Sequence, residues 1–357
     1  MDDGVAPTRQ RWPDVRRIAV VRGGGLGDLV FAVPALHALA AAYPGAELVL
    51  LGTAAHAALL EGRSGPVTEV VPLPPARGLF EPPGEPVPDD VPDDFVRRVG
   101  PVDLGVQLHG GGRWSNRLLH RLGARLTVGC RAPDAPPVTR SMPYRLYQHE
   151  IIRALEVVAL AGAAPVTLRP ELPLTEADHR NARRLLDGLP RPLVAIHPGA
   201  TDPRRHWPAE RFAEVAKRCA DLGRGVVVVG TDAEREQVAG APGVRELPDL
   251  DLGTLCGVLA AADVLVGNDS GPRHLAQAVG TATIGVYWVG NVITGGPLGR
   301  GRDRIAISWT RECPVCGADC TRVELPRCPH DVSFVAEVTV DDVWAELSDL
   351  LNGEEPS

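Results

Sequence analysis

Residues 17–28 read Arg-Ile-Ala-Val-Val-Arg-Gly-Gly-Gly-Leu-Gly-Asp. The first half of this stretch is a short apolar run with several β-branched residues, which favours a strand, and the glycines after it favour a tight turn. The stretch over 29–43 then predicts a helix, and 47–51 predicts the next strand. The sequence therefore begins with a β-α-β unit.

The same alternation continues along the chain. Further strands are expected at 103–108, 193–197, 225–229, 264–267 and 283–286, with helices at 93–99, 115–122, 176–189, 209–222, 232–238, 252–261 and 272–279. Strands that alternate with helices of this length form parallel sheets covered on both faces. The fold class is therefore α/β, with two Rossmann-like, doubly wound domains.

Length, glycines and prolines give the domain boundaries. A chain of 357 residues is long enough for two domains. The segment 161–173 lacks periodicity and contains three prolines and a glycine, which is typical of a linker. We therefore expect an N-terminal domain over 1–172 and a C-terminal domain over 173–357, the latter with a cysteine-rich segment over 313–330 and a terminal helix.

Charge and hydropathy exclude two classes of partner. The net charge is −8, which argues against a nucleic-acid or anionic membrane surface. Glycines and prolines interrupt the longest uncharged stretches, and the N-terminal residues carry no apolar segment. The sequence predicts a cytoplasmic protein with no membrane span.

The first glycine turn could bind an anion or position a carboxylate. A dinucleotide-binding turn needs a third glycine where Asp28 stands, and the strand over 47–51 is not followed by an acidic residue. A carboxylate at a strand end could instead serve as a general base. Asp28 could equally be a helix cap, so its spacing leaves both interpretations open.

The second half of the chain supplies candidate ligand-binding loops. His197 and Gly199 follow a strand, and Arg204 and Arg205 precede a helix. Two arginines beside a helix start could clamp a diphosphate, or could belong to a solvated turn. Residues 268–271 also join a strand to a helix, so backbone N–H groups point to the carboxyl edge of the sheet.

The order of these motifs resembles glycosyltransferase family 9, which includes ADP-heptose heptosyltransferases. The segments that carry the resemblance are RGGGLGDLVFAVP (22–34), IHPGA (196–200), RHWP (205–208), VVGTDAE (228–234) and GNDSGPRHLA (267–276). The resemblance implies a GT-B fold, with two domains facing a central cleft, and inverting transfer that requires no cofactor. It assigns Asp28 as general base, Arg205 to the donor phosphates, Glu234 to the ribose and Leu250 to the adenine.

The resemblance also implies further contacts. The remaining donor-binding residues would be His197, Gly199, Arg204, Gly230, Asp269, Ser270, Gly271 and His274, and the acceptor-binding residues Gly25, Gly27, His109 and Arg113. ADP-heptose is the first candidate donor, and the acceptor hydroxyl belongs either to a surface glycan or to a soluble natural product. A binding protein without catalysis is the alternative, and a monomer is expected.

Four of the seven cysteines fall within 313–328. Thiolates at such spacings can complete a tetrahedral zinc site, but free thiols are an equal alternative because the pattern departs from paired CxxC motifs. The candidate ligands of a structural zinc are Cys313, Cys316, Cys320 and Cys328.

Overall fold

The computed structural model describes residues 7–352 apart from 83, 237, 239, 241, 242 and 323. The chain divides between Glu171 and Leu172 into two compact units, called the first and the second unit below. Each unit is built on one six-stranded sheet. The described part contains no helix with both the length and the hydropathy needed to cross a bilayer.

The first unit alternates strands with helices. Its strands are β1 (Arg17–Val21), β2 (Glu47–Gly52), β3 (Glu69–Pro72), β4 (Leu104–Gln107), β5 (Leu126–Arg131) and β6 (Arg140–Pro143). Its helices are α1 (Leu26–Ala42), α2 (Ala54–Leu60), α3 (Asp93–Val99), α4 (Ser115–Arg121) and α5 (Glu150–Ala159). All strand pairs are parallel, in the order β3-β2-β1-β4-β5-β6.

Strand β1 is the centre of the first sheet. Its residues Ile18 to Val21 are fully buried, between β2 on one side and β4 on the other. A parallel sheet with helices on both faces buries both sides of its central strands, which explains why this run lacks polar alternation. Helix α1 packs against α5 and buries Leu29, Val30 and Leu36.

The second unit repeats this architecture. Its strands are β7 (Leu193–His197), β8 (Gly225–Val228), β9 (Val244–Glu246), β10 (Val264–Asn268), β11 (Ala282–Trp288) and β12 (Asp303–Ser308). Its helices are α6 (Glu176–Leu186), α7 (Ala209–Asp221), α8 (Asp232–Glu236), α9 (Leu252–Ala261), α10 (Gly271–Ala278), α11 (Val289–Gly295) and α12 (Val340–Asn352). A 3₁₀ turn over Pro203–Arg205 precedes α7.

Both sheets have the Rossmann strand order. The second sheet runs β12-β11-β10-β7-β8-β9, so that counting strands within each unit gives 3-2-1-4-5-6 for both. The prediction of two doubly wound parallel-sheet domains is confirmed. In this topology ligands bind at the carboxyl ends of the strands where the order reverses, that is, after β1 and β4 and after β7 and β10.

One boundary differs from its prediction in a way that affects Asp28. Helix α1 begins at Leu26 rather than at residue 29, because Gly25 takes the extended N-cap conformation and Leu26 and Gly27 join the first turn. Asp28 therefore lies at the third helical position and not before the helix.

Candidate active site

Asn268 holds the strand-end loops of the second unit together. It is the last residue of β10 and is fully buried. Its amide nitrogen donates to the carbonyl of Pro198 over 2.6 Å, and its side-chain oxygen accepts from the backbone N–H of Trp207 over 3.0 Å. Trp207 is anchored in the core, where its indole N–H donates to the carbonyl of Val338 over 2.8 Å. The loop after β7 and the turn before α7 are thus fixed to the end of β10.

His197 ends β7 and lies between two other predicted site residues. Its Nδ1 is 3.1 Å from the Oγ of Ser270, and its Nε2 is 3.8 Å from the Oε2 of Glu234. Burial lowers the pKa of His197 to about 4, although the carboxylate of Glu234 opposes this shift. The imidazole is therefore neutral at neutral pH and contributes hydrogen bonds rather than charge.

The carboxylate of Glu234 is fixed by Thr231 and by two glycines. Its Oε2 accepts the backbone N–H of Thr231 over 2.8 Å and the hydroxyl of the same residue over 3.0 Å. A Cβ atom at Gly199 or Gly230 would run into this carboxylate, and Gly230 has a φ of 137° that side chains rarely allow. The structure therefore brings Gly199, Gly230, His197 and Glu234 together.

Arg205 and Asp269 form the charged part of the same edge. The Nη1 of Arg205 donates to the backbone carbonyl of Asp269 over 3.2 Å and to its Oδ2 over 3.1 Å. Burial would raise the pKa of Asp269, but hydrogen bonds from His274 and Arg205 lower it below its ordinary value. The Asp269 side chain is only 7% exposed and that of Arg205 is 26% exposed. The guanidinium is thus both oriented and accessible.

Arg204 is engaged on the other side of the 3₁₀ turn. Its guanidinium donates to both carboxylate oxygens of Asp202, and it lies over the ring of Phe334 at 5.6 Å. The two adjacent arginines therefore have different partners, because successive residues of a tight turn point in different directions. Only Arg205 joins the group around Asp269.

A buried arginine determines the state of His274. Arg273 has no solvent exposure, and its Nη1 lies 3.2 Å from the Nδ1 of His274. An arginine can only donate, so Nδ1 must accept and the ring proton must sit on Nε2. That nitrogen is 3.1 Å from the Oδ1 of Asp269, to which it donates. Arg273, His274 and Asp269 thus form a directed chain of hydrogen bonds that ends beside Arg205.

This chain predicts the tautomer of His274. We expect the neutral ring to carry its proton on Nε2, because Arg273 occupies Nδ1. Nitrogen-15 NMR of labelled histidine reports the tautomer directly, and His274→Asn identifies the resonance. Arg273→Met should release the constraint and give a mixture of tautomers. A proton on Nδ1 in the unmodified protein would contradict this arrangement.

Two further predicted donor residues flank the group. Gly271 is the first residue of α10, directly after the N-cap Ser270, so the start of this helix faces the carboxyl edge of the sheet. Leu250 is half-buried and stands between β9 and α9, next to the N-cap Asp251. Strands β8 and β9 are parallel neighbours, so Leu250, which follows β9, belongs to the same carboxyl edge of the sheet as Glu234, which follows β8.

In the first unit, Arg22 organises the glycine turn. Its side chain is 5% exposed, and its Nη2 lies 2.7 Å from the Oδ1 of Asp28 and 3.3 Å from the Oε2 of Glu150. The Oδ2 of Asp28 accepts the backbone N–H of Gly25 over 2.8 Å. Asp28 therefore caps the start of helix α1, as one of its two interpretations predicted. Its side chain nevertheless remains 44% exposed, and one carboxylate can serve both roles.

His56 supports the same turn, although its sequence context gave no sign of this. It is fully buried; its Nδ1 accepts the backbone N–H of Thr53 over 3.2 Å, and its Nε2 donates to the carbonyl of Gly25 over 3.0 Å. Burial lowers the pKa of His56, which keeps the ring neutral as this pairing requires. Gly27, two residues after Gly25, is half-buried in the first turn of α1.

His109 and Arg113 follow β4, on the other side of the switch point. His109 is half-buried, its ring lies against Gly23, and burial together with the charge of Arg22 lowers its pKa. The structure therefore brings His109 to the glycine turn. Arg113 is exposed and pairs with Asp134 over 3.3 Å, away from that turn's hydrogen bonds.

The cysteine-rich segment forms a compact group of metal-type ligands. One ligand atom each from Cys313, Cys316, Cys328 and His330 lie within 4.8 Å of one another. The Sγ atoms of Cys316 and Cys328 are 3.5 Å apart, and the Nδ1 of His330 is 3.7 Å from the Sγ of Cys313 and 3.2 Å from that of Cys328. We call these four residues the Cys/His cluster.

The structure groups three of the four predicted zinc ligands with His330 and leaves the fourth, Cys320, apart from them. Cys320 is outside the Cys/His cluster, and its thiol donates to the carbonyl of Ala318 over 3.3 Å. The turn after Cys316 places Cys320 next to Arg311, whose carbonyl accepts its backbone N–H over 2.9 Å, while His330 takes the fourth position. Spacing alone could not distinguish these arrangements because the chain reverses between 316 and 328.

The known proteins most informative here are bacterial glycosyltransferases. The chain is 28% identical over 303 residues to lipopolysaccharide heptosyltransferase 1 of Pseudomonas aeruginosa, covering 80% of this chain and 82% of that one. The solved glycosyltransferase family 9 structure from Veillonella parvula has a TM-score of 0.75 at 18% identity, covering 97% and 99% of the two chains. The Escherichia coli ADP-heptose lipopolysaccharide heptosyltransferase II has a TM-score of 0.67 at 20% identity, covering 95% and 99%.

These likenesses agree with the family model. The two solved structures confirm the GT-B fold class. The model described as glycosyltransferase family 9 (heptosyltransferase) matches residues 112–320, which is more than half of the chain. The chain belongs to glycosyltransferase family 9 and is a glycosyltransferase.

Proposed function

We propose that this glycosyltransferase moves heptose from ADP-heptose to an acceptor hydroxyl, with inversion at the anomeric carbon and without a catalytic metal. The observation that carries the proposal is the guanidinium of Arg205, held by Asp269 at the switch point of the second sheet. The similar proteins described above support heptose and ADP as the donor. Donor binding is assigned to the second unit and acceptor binding to the first.

The donor diphosphate is assigned to Arg205 and the start of α10. An arginine beside a helix N-terminus offers both a charge-assisted hydrogen bond and unpaired backbone N–H groups to a phosphate. Ser270 and Gly271 provide that helix start. Asp269 is assigned to hydroxyl groups of the donor sugar, because its carboxylate can accept hydrogen bonds from them. His274 is assigned to the same site as the residue that orients Asp269, since its two ring nitrogens are engaged by Arg273 and Asp269.

The nucleoside is assigned to Glu234 and Leu250. In Rossmann-type sites an acidic residue after the second strand accepts the ribose hydroxyls. Glu234 occupies that place, because it follows β8, the second strand of its unit. The half-buried Leu250 is an apolar surface suited to the adenine ring.

The chemistry is assigned to Asp28. The acceptor oxygen forms a bond to the anomeric carbon while the bond from that carbon to the β-phosphate oxygen breaks. The hydroxyl proton passes to the carboxylate of Asp28, and ADP leaves with the bonding electron pair, stabilised by Arg205. Attack opposite the leaving group inverts the anomeric configuration. Arg22 and the backbone N–H of Gly25 fix the orientation of the base.

The acceptor is assigned to the loops of the first unit. Gly25 and Gly27 belong to the glycine turn, and His109 lies against it. The exposed Arg113 suits an anionic substituent of the acceptor. A lipopolysaccharide core is favoured by the similar enzymes. The net charge of −8 favours a soluble acceptor instead, because a polyanionic membrane surface would repel the protein. Transfer assays with both acceptor types decide between them.

We further propose that the Cys/His cluster holds a structural zinc. In a tetrahedral site with bonds of about 2.0 to 2.3 Å, ligand atoms lie roughly 3.3 to 3.8 Å apart. Three separations between ligand atoms of the cluster, 3.2, 3.5 and 3.7 Å, fall close to this range. Three thiolates and an imidazole are also the soft ligand set that zinc prefers. The ligands are all protein groups, as expected of a structural site.

Short treatment with EDTA should leave turnover unchanged. The donor is held by Arg205 and a helix start, so no magnesium or manganese bridge is required, and zinc held by three thiolates is lost slowly. Turnover is measured in the presence of ADP-heptose and acceptor, and elemental analysis of the same sample checks that zinc is retained. Loss of turnover that only Mg²⁺ or Mn²⁺ restores would contradict the metal-independent mechanism.

A further inference from the structure

We propose that the metal-loaded Cys/His cluster positions the arginine turn over Pro203–Arg205, so that loss of the metal weakens binding of the donor diphosphate. This inference rests on the proposed role of Arg205 in holding that diphosphate. It gives the cysteine-rich segment a role in donor binding and not only in stability.

Residues 333 and 334, which follow the cluster in sequence, form hydrogen bonds with the arginine turn on both sides of Arg205. The backbone N–H of Phe334 donates to the carbonyl of Arg204 over 2.8 Å. The hydroxyl of Ser333 donates to the carbonyl of His206 over 2.6 Å. The ring of Phe334 also supports the guanidinium of Arg204 at 5.6 Å. The carbonyls that flank Arg205 in sequence are thus both fixed by residues 333 and 334.

Phe334 is packed directly on the cluster. Phe334 is 1% exposed and forms a small apolar core with Cys313 and Cys328. The ring of Trp288, at the end of β11, meets Phe334 edge-on at 5.6 Å. His330 precedes Ser333 by three residues, so a displacement of the ligands is transmitted to Ser333 and Phe334 through a short piece of chain.

The metal would fix the cysteine-rich part of this segment, whereas its C-terminal end is also held by the core, where Val335 and Val338 are buried and the carbonyl of Phe334 accepts from the hydroxyl of Ser308 over 2.5 Å. Among the described residues between 309 and 339, the backbone forms turns and one isolated bridge, Glu312 with Asp319, but no helix or strand. Ordering such a chain costs conformational entropy at every residue. A metal that joins residues 313 and 316 to 328 and 330 offsets part of this cost by closing the loop.

Arg205 is therefore supported from two directions. At the end of β10, Asp269 orients the guanidinium and Asn268 holds the backbone N–H of Trp207. The cysteine-rich segment fixes the carbonyls of Arg204 and His206 from the other direction. Without this second support, the guanidinium stays paired to Asp269, but its backbone is held less tightly and its distance to a bound phosphate varies more. The nucleoside contacts at Glu234 lie on a different loop and do not depend on this segment.

The test compares a ligand variant with a matched control. Cys316→Ala removes the exposed ligand, and Cys320→Ala makes the same change outside the cluster. Calorimetry with ADP and with adenosine is combined with elemental analysis of each protein. We expect Cys316→Ala to lose zinc and to bind ADP about tenfold more weakly, the effect of one charge-assisted hydrogen bond, with adenosine affinity unchanged. Cys320→Ala should keep both zinc and ADP affinity.

Ser333→Ala provides a second route that leaves the ligands intact. It should retain zinc and lose part of the ADP affinity, again with no change for adenosine, so the inference stays testable if Cys316→Ala does not fold. When Cys316→Ala is added to Arg205→Ala, it should cause no further loss of ADP affinity, because the arginine side chain through which the cluster acts is already absent.

Three results would overturn the inference: a zinc-free Cys316→Ala that binds ADP like the unmodified protein, equal losses for ADP and adenosine, or a full Cys316→Ala effect in the Arg205→Ala background. Failure of the proposed function is different in kind, because the unmodified protein would then show no affinity for ADP that depends on Arg205.

Discussion

Asp28→Asn is expected to lower turnover by roughly 10²- to 10⁴-fold, the usual contribution of a general base. Asparagine keeps the shape of the side chain and can still accept the backbone N–H of Gly25, so the cap of α1 survives. ADP affinity should not change, because the proposed donor contacts all come from the second unit. The measurement is turnover with ADP-heptose and acceptor, with ADP affinity and melting temperature on the same protein.

Glu150→Gln is the matched control for this change. Glu150 also pairs with the Nη2 of Arg22, so its replacement removes a carboxylate from the same guanidinium. If Asp28 is the base, Glu150→Gln should retain most of the turnover. Near-normal turnover in Asp28→Asn would reduce Asp28 to a helix cap, and a large loss in Glu150→Gln alone would move the base to Glu150.

Arg205→Ala is expected to weaken ADP by roughly 1.5 to 3 kcal/mol, which is about 10- to 150-fold, as for a lost hydrogen bond to a charged group. Adenosine should bind as before, because it carries no phosphate. Glu234→Ala should weaken both ligands, since the ribose is common to them. Calorimetric titration of the three proteins with ADP and adenosine separates these contributions.

Arg204→Ala tests whether the effect is specific to one arginine of the pair. Its guanidinium is already engaged by Asp202 and Phe334, so we expect a smaller loss of ADP affinity than for Arg205→Ala. Equal ADP affinity in Arg205→Ala and the unmodified protein would remove Arg205 from the phosphate site. An equal loss of adenosine affinity would indicate a general disruption of the loop instead.

The sequence predicted the centre of each sheet better than its edges. The strands that were foreseen, such as β1 and β7, are buried apolar runs followed by glycine or proline. Five strands were missed, and four of them, β3, β6, β9 and β12, are the edge strands of the two sheets. Strands β3, β6 and β9 are short, and β12 begins with the charged pair Asp303 and Arg304. The fifth, β5, lies next to the edge strand β6, and Thr127 and Gly129 interrupt its apolar run. An edge strand is defined by its neighbour in the sheet, which a local pattern does not contain.

The candidate site was predictable where it lies at strand ends. His197 and residues 268–271 follow strands of one parallel sheet, so their proximity could be anticipated from topology. Glu150 could not be linked to Arg22, which lies 128 positions earlier in the chain. His56 and Arg273 looked like ordinary helix residues, and only their burial against Gly25 and His274 reveals a positioning role.

The most direct test of the central claim, that this chain uses a nucleotide diphosphate sugar, is a thermal-shift panel with ADP-, GDP- and UDP-sugars. A ligand that binds only the folded state at 100 times its Kd adds about 2.7 kcal/mol of stability. We expect ADP-heptose to raise the Tm, GDP- and UDP-sugars to raise it less, and Arg205→Ala to abolish most of the shift. A panel in which no nucleotide sugar raises the Tm would contradict the proposed function.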